Sequence, residues 1–110
     1  MNKNLTTLLG ICQKPERSIL GLMSGTSLDG LDIALCTIKG FGKETSLILE
    51  RSKTSPYTTV FKELILEVFA KKQVDLEKLT LINKAIAQEH AEIVLNALAE
   101  WNIQPSEVDV

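Results

Sequence analysis

The sequence predicts an α/β fold in which an antiparallel meander of three strands is followed by two helices. Two observations carry that prediction. From Ser18 to Lys53 the apolar residues alternate or run together over short stretches, and after Pro56 they recur every three to four positions. The links between the first three apolar runs are short and rich in turn residues, which suits hairpins and leaves no room for a crossover helix. With 110 residues, 45% hydrophobic and 24% charged, the chain is not disordered as a whole. A chain this long hides roughly 65% of its unfolded surface, enough for a modest core.

The elements follow in order. Met1 to Cys12 places Lys3 before a stretch that faintly resembles a signal peptide or lipoprotein box. That stretch is short, is broken by Thr6 and Thr7, and carries bulky Ile11 where cleavage needs a small residue. Residues 1–17 are therefore expected to be a flexible leader, closed by Lys14-Pro15-Glu16-Arg17. Ser18–Met23, nearly all apolar, reads as a strand covered on both faces. Leu31–Ile38 reads as a second strand, with Leu31, Ile33 and Leu35 on one face and Ala34, Cys36 and Ile38 on the other. Lys39 to Lys43 is a turn, and Ser46–Lys53 a third strand. Two rows, Val60/Leu64/Val68 and Phe61/Ile65/Phe69, make the apolar stripe of a helix of about three turns, ended by Lys71-Lys72-Gln73. Asp75 caps a second helix that carries Ile82, Ile86, Ile93, Val94, Ala97, Leu98 and Trp101 to about Glu100, with a break expected near Thr80. Val108-Asp109-Val110 reads as the first residues of another strand, so the chain is expected to be an N-terminal piece of a longer domain.

Several functions are disfavoured. A net charge of -2 and 5% aromatic residues offer neither a basic stripe nor a stacking platform for nucleic acid. Two cysteines make no disulfide framework, and with the single His90 they cannot assemble a zinc site; Cys36 reads as a small core residue. No run approaches the roughly 18 apolar residues of a membrane span. The cytoplasm is the expected setting, and no membrane partner is expected. His90 reads as a packed histidine on the apolar side of the last helix, and Trp101 as boundary packing.

The densest chemistry is Ser24-Gly25-Thr26-Ser27-Leu28-Asp29-Gly30, continued by Leu31-Asp32. Glycines permit positive φ and close approach of a ligand to the main chain. Hydroxyls and free N–H groups suit a phosphate, and Asp29 and Asp32 suit Mg²⁺ held directly or through water. Together these are the parts of a nucleotide phosphate site. The plainer reading is an ordinary hairpin turn, which uses the same residues. The glycine spacing of Gly25 and Gly30 matches a Walker A loop, but Leu31-Asp32 stands where Lys-Ser/Thr is required. Gly40-Phe41-Gly42 fails as a dinucleotide fingerprint, because Thr45 replaces the third glycine.

The twelve residues Gly21-Leu22-Met23-Ser24-Gly25-Thr26-Ser27-Leu28-Asp29-Gly30-Leu31-Asp32 resemble the N-terminal signature of the anhydro-N-acetylmuramic acid kinases, roughly G-x-M-S-G-T-S-x-D-G-x-D. Every fixed position matches. The resemblance covers nearly all of the chain after Arg17, but only the first part of a full-length member. It implies a ribonuclease-H-like piece of the actin-like ATPase fold, shared by sugar kinases and heat-shock ATPases. It implies phosphorylation of 1,6-anhydro-N-acetylmuramic acid by ATP and Mg²⁺, with opening of the anhydro ring by water to give N-acetylmuramic acid 6-phosphate in cell-wall recycling. Gly25, Thr26, Ser27, Leu28, Asp29, Gly30, Leu31 and Asp32 then correspond to the ATP-binding loop. By position within that loop, Asp29 is expected to face Mg²⁺, through water, or the sugar, and Asp32, opening the second strand, is the alternative brace of the loop through its free N–H groups. Met23 stands where related superfamily members often carry an acid. The catalytic aspartate lies beyond Val110, so this segment holds no catalytic residue and is expected to be inactive alone. The expected partners are the anhydro amino sugar and ATP, with a homodimer as the candidate assembly of the whole protein. Two alternatives stand beside this reading: another sugar kinase or ATPase of the same superfamily, and a non-catalytic domain that binds phosphate or a protein.

Overall fold

The computed structural model describes residues 2–69 and 71–110. Its elements are α1 (Lys3–Gln13), β1 (Glu16–Ser24), β2 (Gly30–Lys39), β3 (Ser46–Pro56), α2 (Thr59–Leu66) and α3 (Leu76–Glu100). The three strands form one antiparallel sheet in the order β1-β2-β3, as the short links require. Ile19 faces Cys36, and Met23 faces Asp32, which in turn faces Thr54. The β2–β3 register slips between Leu35 and Cys36, whose partners are Arg51 and Leu49, so Glu50 forms a bulge. Each strand extends beyond its expected bounds, and β3 runs on to Pro56.

The alternation expected of β2 places the core. Leu31 and Ile33 are each 1% exposed, and Leu35 is also buried. Leu31 and Ile33 pack with Tyr57, Phe61, Ile65, Ile82, Ile93 and Ala97, so α2 and α3 cover one face of the sheet. Cys36, expected in the core, is instead half-buried on the other face and outside that cluster.

Three local expectations are corrected. Within residues 1–17, expected as a flexible leader, Lys3–Gln13 is a helix capped by Asn2, whose Oδ1 accepts from Asn4 N at 2.8 Å. Thr6 and Thr7 do not break it, because their hydroxyls donate back to Asn2 O and Lys3 O. None of its described residues is buried. The helix after Pro56 is shorter than three turns: it closes at Leu66, where Val68 N–H bonds Ile65 O in a tighter 3.1 Å turn. The row of Phe61 and Ile65 faces the core, whereas Val60 is 76% exposed. Finally, α3 is continuous through Thr80, whose hydroxyl bonds Leu76 O at 2.8 Å. Its cap is the expected one, with Asp75 Oδ1 accepting from Glu77 N at 2.9 Å.

The last residues lie along the free edge of β1. Ser18 O accepts from Asp109 N at 2.8 Å and Val110 N at 3.3 Å, and Leu20 N donates to Val110 O at 2.8 Å. Bonds from Val110 to the residues on either side of Ile19 are the pattern of a parallel pair. Asp109 secures this segment: its carboxylate accepts from Ser18 N at 2.8 Å and pairs with Lys14 Nζ at 2.6 Å. The expected start of a further strand is thus seated beside β1.

Candidate functional site

The loop between β1 and β2 projects from one end of the sheet. Its turn is closed by Leu28 N–H donating to Gly25 O at 3.2 Å. Its far end is held by Tyr57 N–H donating to Asp29 O at 3.1 Å, which ties the loop to the residue after β3. Among the described residues, the N–H groups of Gly25, Thr26, Ser27 and Asp29 donate to nothing within the chain. Thr26, Ser27 and Asp29 are exposed. The loop therefore presents free backbone donors beside two hydroxyls and a carboxylate, a suitable cradle for an anion.

Of the two freedoms expected of the glycines, positive φ is not used and close approach is. Neither adopts positive φ; Leu28 does, at +55°. Leu28 can hold this conformation because its side chain packs against the core, which offsets a backbone cost of about 1–2 kcal/mol. Gly30 is required by close approach: a Cβ there would collide with Ser55 O and lie 3.0 Å from Ser55 C and 3.1 Å from Pro56 Cα. Gly25 is open, with only Ser27 Oγ within 4 Å, at 3.8 Å from a Cβ built there. Open space above the main chain is what a ligand needs in order to reach it.

The other residues of the expected ATP-binding set divide. Leu31 is 1% exposed and its side chain belongs to the core, so any part it takes in a site is through its main chain. Asp32 leaves the loop altogether. It sits on the uncovered face of the sheet and accepts from Thr54 Oγ1 at 2.5 Å, so its partner is β3 and not a loop amide. That face holds an open groove of about 690 Å³, lined by Met23, Asp32, Ala34, Ser52 and Thr54 among others. Asp29 and Asp32 thus belong to different surroundings. Among the described residues no three acidic, His or Cys side chains gather as a metal site. The donor set still fits Mg²⁺ as it accompanies a nucleotide, which takes one or two carboxylates, water and phosphate oxygens.

Behind the loop lies a polar trio that the sequence did not reveal. Tyr57 Oη donates to Ser24 Oγ at 2.9 Å and meets His90 Nε2 at 2.9 Å. The Tyr57 and His90 rings are nearly parallel, with centroids 6.0 Å apart, and Phe61 tilts against Tyr57 at 4.7 Å. These residues border a cavity of about 230 Å³ under Leu28. His90 is packed, as expected, but it packs with a hydrogen bond. The only signal in the sequence was a lone imidazole on an otherwise apolar helix face.

Comparison with known proteins accords with the loop. The anhydro-N-acetylmuramic acid kinase family profile matches residues 17–110. An anhydro-N-acetylmuramic acid kinase of Pseudoalteromonas atlantica is 45% identical over 109 residues, covering 99% of this chain and 27% of that protein. That of Pseudoalteromonas translucida is 40% identical over 110 residues, covering 100% and 27%. That of Caldanaerobacter subterraneus subsp. tengcongensis is 35% identical over 103 residues, covering 94% and 26%. The chain spans about a quarter of the length of these relatives. With the signature loop intact and the match running to its last residue, the chain belongs to the anhydro-N-acetylmuramic acid kinase family.

Proposed function

We propose that the polypeptide carrying this chain transfers the γ-phosphoryl group of ATP to the 6-hydroxyl of 1,6-anhydro-N-acetylmuramic acid, while water opens the anhydro ring. The products are ADP and N-acetylmuramic acid 6-phosphate, as in recycling of cell-wall sugar. The segment described here supplies the phosphate-binding loop, and the water-activating aspartate comes from outside it. The observation that supports this most directly is the set of unengaged N–H groups at Gly25, Thr26, Ser27 and Asp29 around an open Gly25.

The division of labour follows from the geometry. The loop amides and the hydroxyls of Thr26 and Ser27 bind and orient phosphate oxygens, stabilising charge by fixed dipoles. Mg²⁺, when bound with ATP, neutralises the charge that develops on the transferring group. Asp29, exposed within the loop, is the residue that would hold this ion through water. Asp32, held by Thr54, keeps β2 and β3 in register at the base of the loop. The reaction also implies a cytoplasmic setting, where ATP is supplied; among the described residues no helix is long and apolar enough to cross a membrane.

Steady-state kinetics of the whole polypeptide test the reading. Asp29→Ala is expected to lower kcat about tenfold or more while changing the KM for ATP little, because its charge matters most as phosphoryl charge redistributes. Gly25→Val is expected to raise that KM by filling the open approach. Wild-type constants in both variants would reduce the loop to a hairpin turn. Nucleotide binding without sugar phosphorylation would favour the non-catalytic phosphate-binding reading.

A further inference from the structure

We propose that Tyr57 is a clamp on both stems of the phosphate loop, and that His90, from the middle of α3, is the positioning residue that holds the clamp in place. The inference rests on the phosphoryl-transfer reading above and assigns residues that the loop signature does not contain.

Ser24 and Asp29 bracket the turn, and Tyr57 holds both. Its side chain donates to Ser24 Oγ at 2.9 Å, and its main-chain N–H donates to Asp29 O at 3.1 Å. The residues between these two anchors, Gly25 to Leu28, carry three of the four unengaged N–H groups. One residue therefore fixes the separation of the two stems, and with it the curvature of the donor array between them.

His90 completes the arrangement by proton accounting. A phenol has one proton and here has two partners. With that proton given to Ser24 Oγ, the contact with His90 is made by Nε2–H donating to Tyr57 Oη. The chain of bonds then runs in one direction, from His90 to Tyr57 to Ser24. Ser24 accepts at its inner side, so its own O–H remains available toward the loop. The phenol is confined, because Tyr57 is only 5% exposed and neighbours the rings of both His90 and Phe61. Packing alone does not call for these polar atoms: Phe at 57 and Leu at 90 would fill much the same space without burying a hydroxyl that must be satisfied.

The test uses the longest native polypeptide that carries this chain, with Tyr57→Phe, His90→Leu, His90→Gln and the Tyr57→Phe/His90→Leu double variant. Losing a bond of this kind is expected to raise the KM for ATP roughly fivefold in Tyr57→Phe and His90→Leu, with kcat changed by less than about twofold. The double variant is expected to be no worse than Tyr57→Phe alone, since the pair acts as one unit. His90→Gln, whose amide can donate to Tyr57, is expected to recover most of the loss. Amide hydrogen exchange at Leu28 and Tyr57, which needs no catalysis, is expected to quicken roughly fivefold in Tyr57→Phe and His90→Leu and to recover in His90→Gln. Unchanged exchange in those variants overturns the clamp, as does a His90→Gln that behaves like His90→Leu. A wild-type protein that phosphorylates no sugar overturns the functional reading instead, and the exchange measurement then judges the clamp by itself.

Discussion

Replacing each loop glycine by alanine separates a glycine needed by the fold from one needed by a ligand. At Gly30 a Cβ would meet the backbone of β3: it collides with Ser55 O and sits 3.0 and 3.1 Å from Ser55 C and Pro56 Cα, where ordinary contact begins at 3.4 Å. No flexible side chain can yield, so β2 and β3 must separate by several tenths of an ångström at the base of the loop. Overpacking of this kind costs about 1–3 kcal/mol. The smaller freedom of the unfolded alanine chain returns about 0.4–1 kcal/mol. The net expectation for Gly30→Ala is a loss of about 1–2 kcal/mol. At Gly25 the nearest atom is a serine hydroxyl at 3.8 Å and φ is not positive, so Gly25→Ala should leave stability within about 0.5 kcal/mol of the native protein. Urea unfolding followed by circular dichroism reads both. With a slope of about 1–3 kcal/mol per molar, the Gly30→Ala midpoint should fall by roughly 0.5–1 M while that of Gly25→Ala stays put. A Gly30→Ala midpoint equal to wild type would refute the close-approach argument, and equal losses in both would refute the distinction.

Two further expectations concern the core and the β1 edge. Ile33→Ala, at a site 1% exposed, should cost about 2–5 kcal/mol, whereas Ile48→Ala, at a site 49% exposed, should cost under about 1 kcal/mol; chemical denaturation distinguishes them. At Asp109, the Lys14 ammonium and the Ser18 N–H hold the carboxyl below its ordinary value of 3.8. The folded value thus lies beneath the unfolded one, so its contribution is whole above pH ~4 and fades as pH falls through the lowered value. Protection of the Leu20 amide, taken relative to the intrinsic exchange rate at each pH, should fall in step with Asp109 protonation, and Asp109→Asn should already show low protection at neutral pH.

Strand β2 and its inward face were legible because alternation is a local signal: Leu31, Ile33 and Leu35 announce their side of the sheet without help from any distant residue. The cover of β1 was not: expected on both faces, it is lacking at Leu22 and Met23, which are exposed, because only a packed neighbour decides it. The length of α2 was not, because Val60, Leu64 and Val68 are all apolar and only the position of the sheet decides which of them is covered. Helix α1 was missed because Met1 to Cys12 shows no apolar face turned to a core: none of its described residues is buried, so no packing pattern marks it. The loop's composition pointed to phosphate, but the residue with positive φ is Leu28, where core packing overrides a backbone preference. The contacts of Tyr57 with Ser24 and His90 span 33 residues in each direction, so they exist only once the sheet and α3 have met.

The parallel seating of Val110 beside Ile19 carries a directional meaning. In an antiparallel meander successive strands point to opposite rims, so only one strand in two ends at the rim where the loop stands. A neighbour running the same way as β1 ends at the same rim as β1 does. Level with Ile19 at Val110, such a neighbour would draw alongside Ser24 five residues later, a distance of about 17 Å at 3.3 Å per residue. Two strand ends at one rim form the kind of crevice in which α/β proteins gather their ligands. The sheet therefore aims whatever continues past that point at the same opening that Gly25 leaves clear.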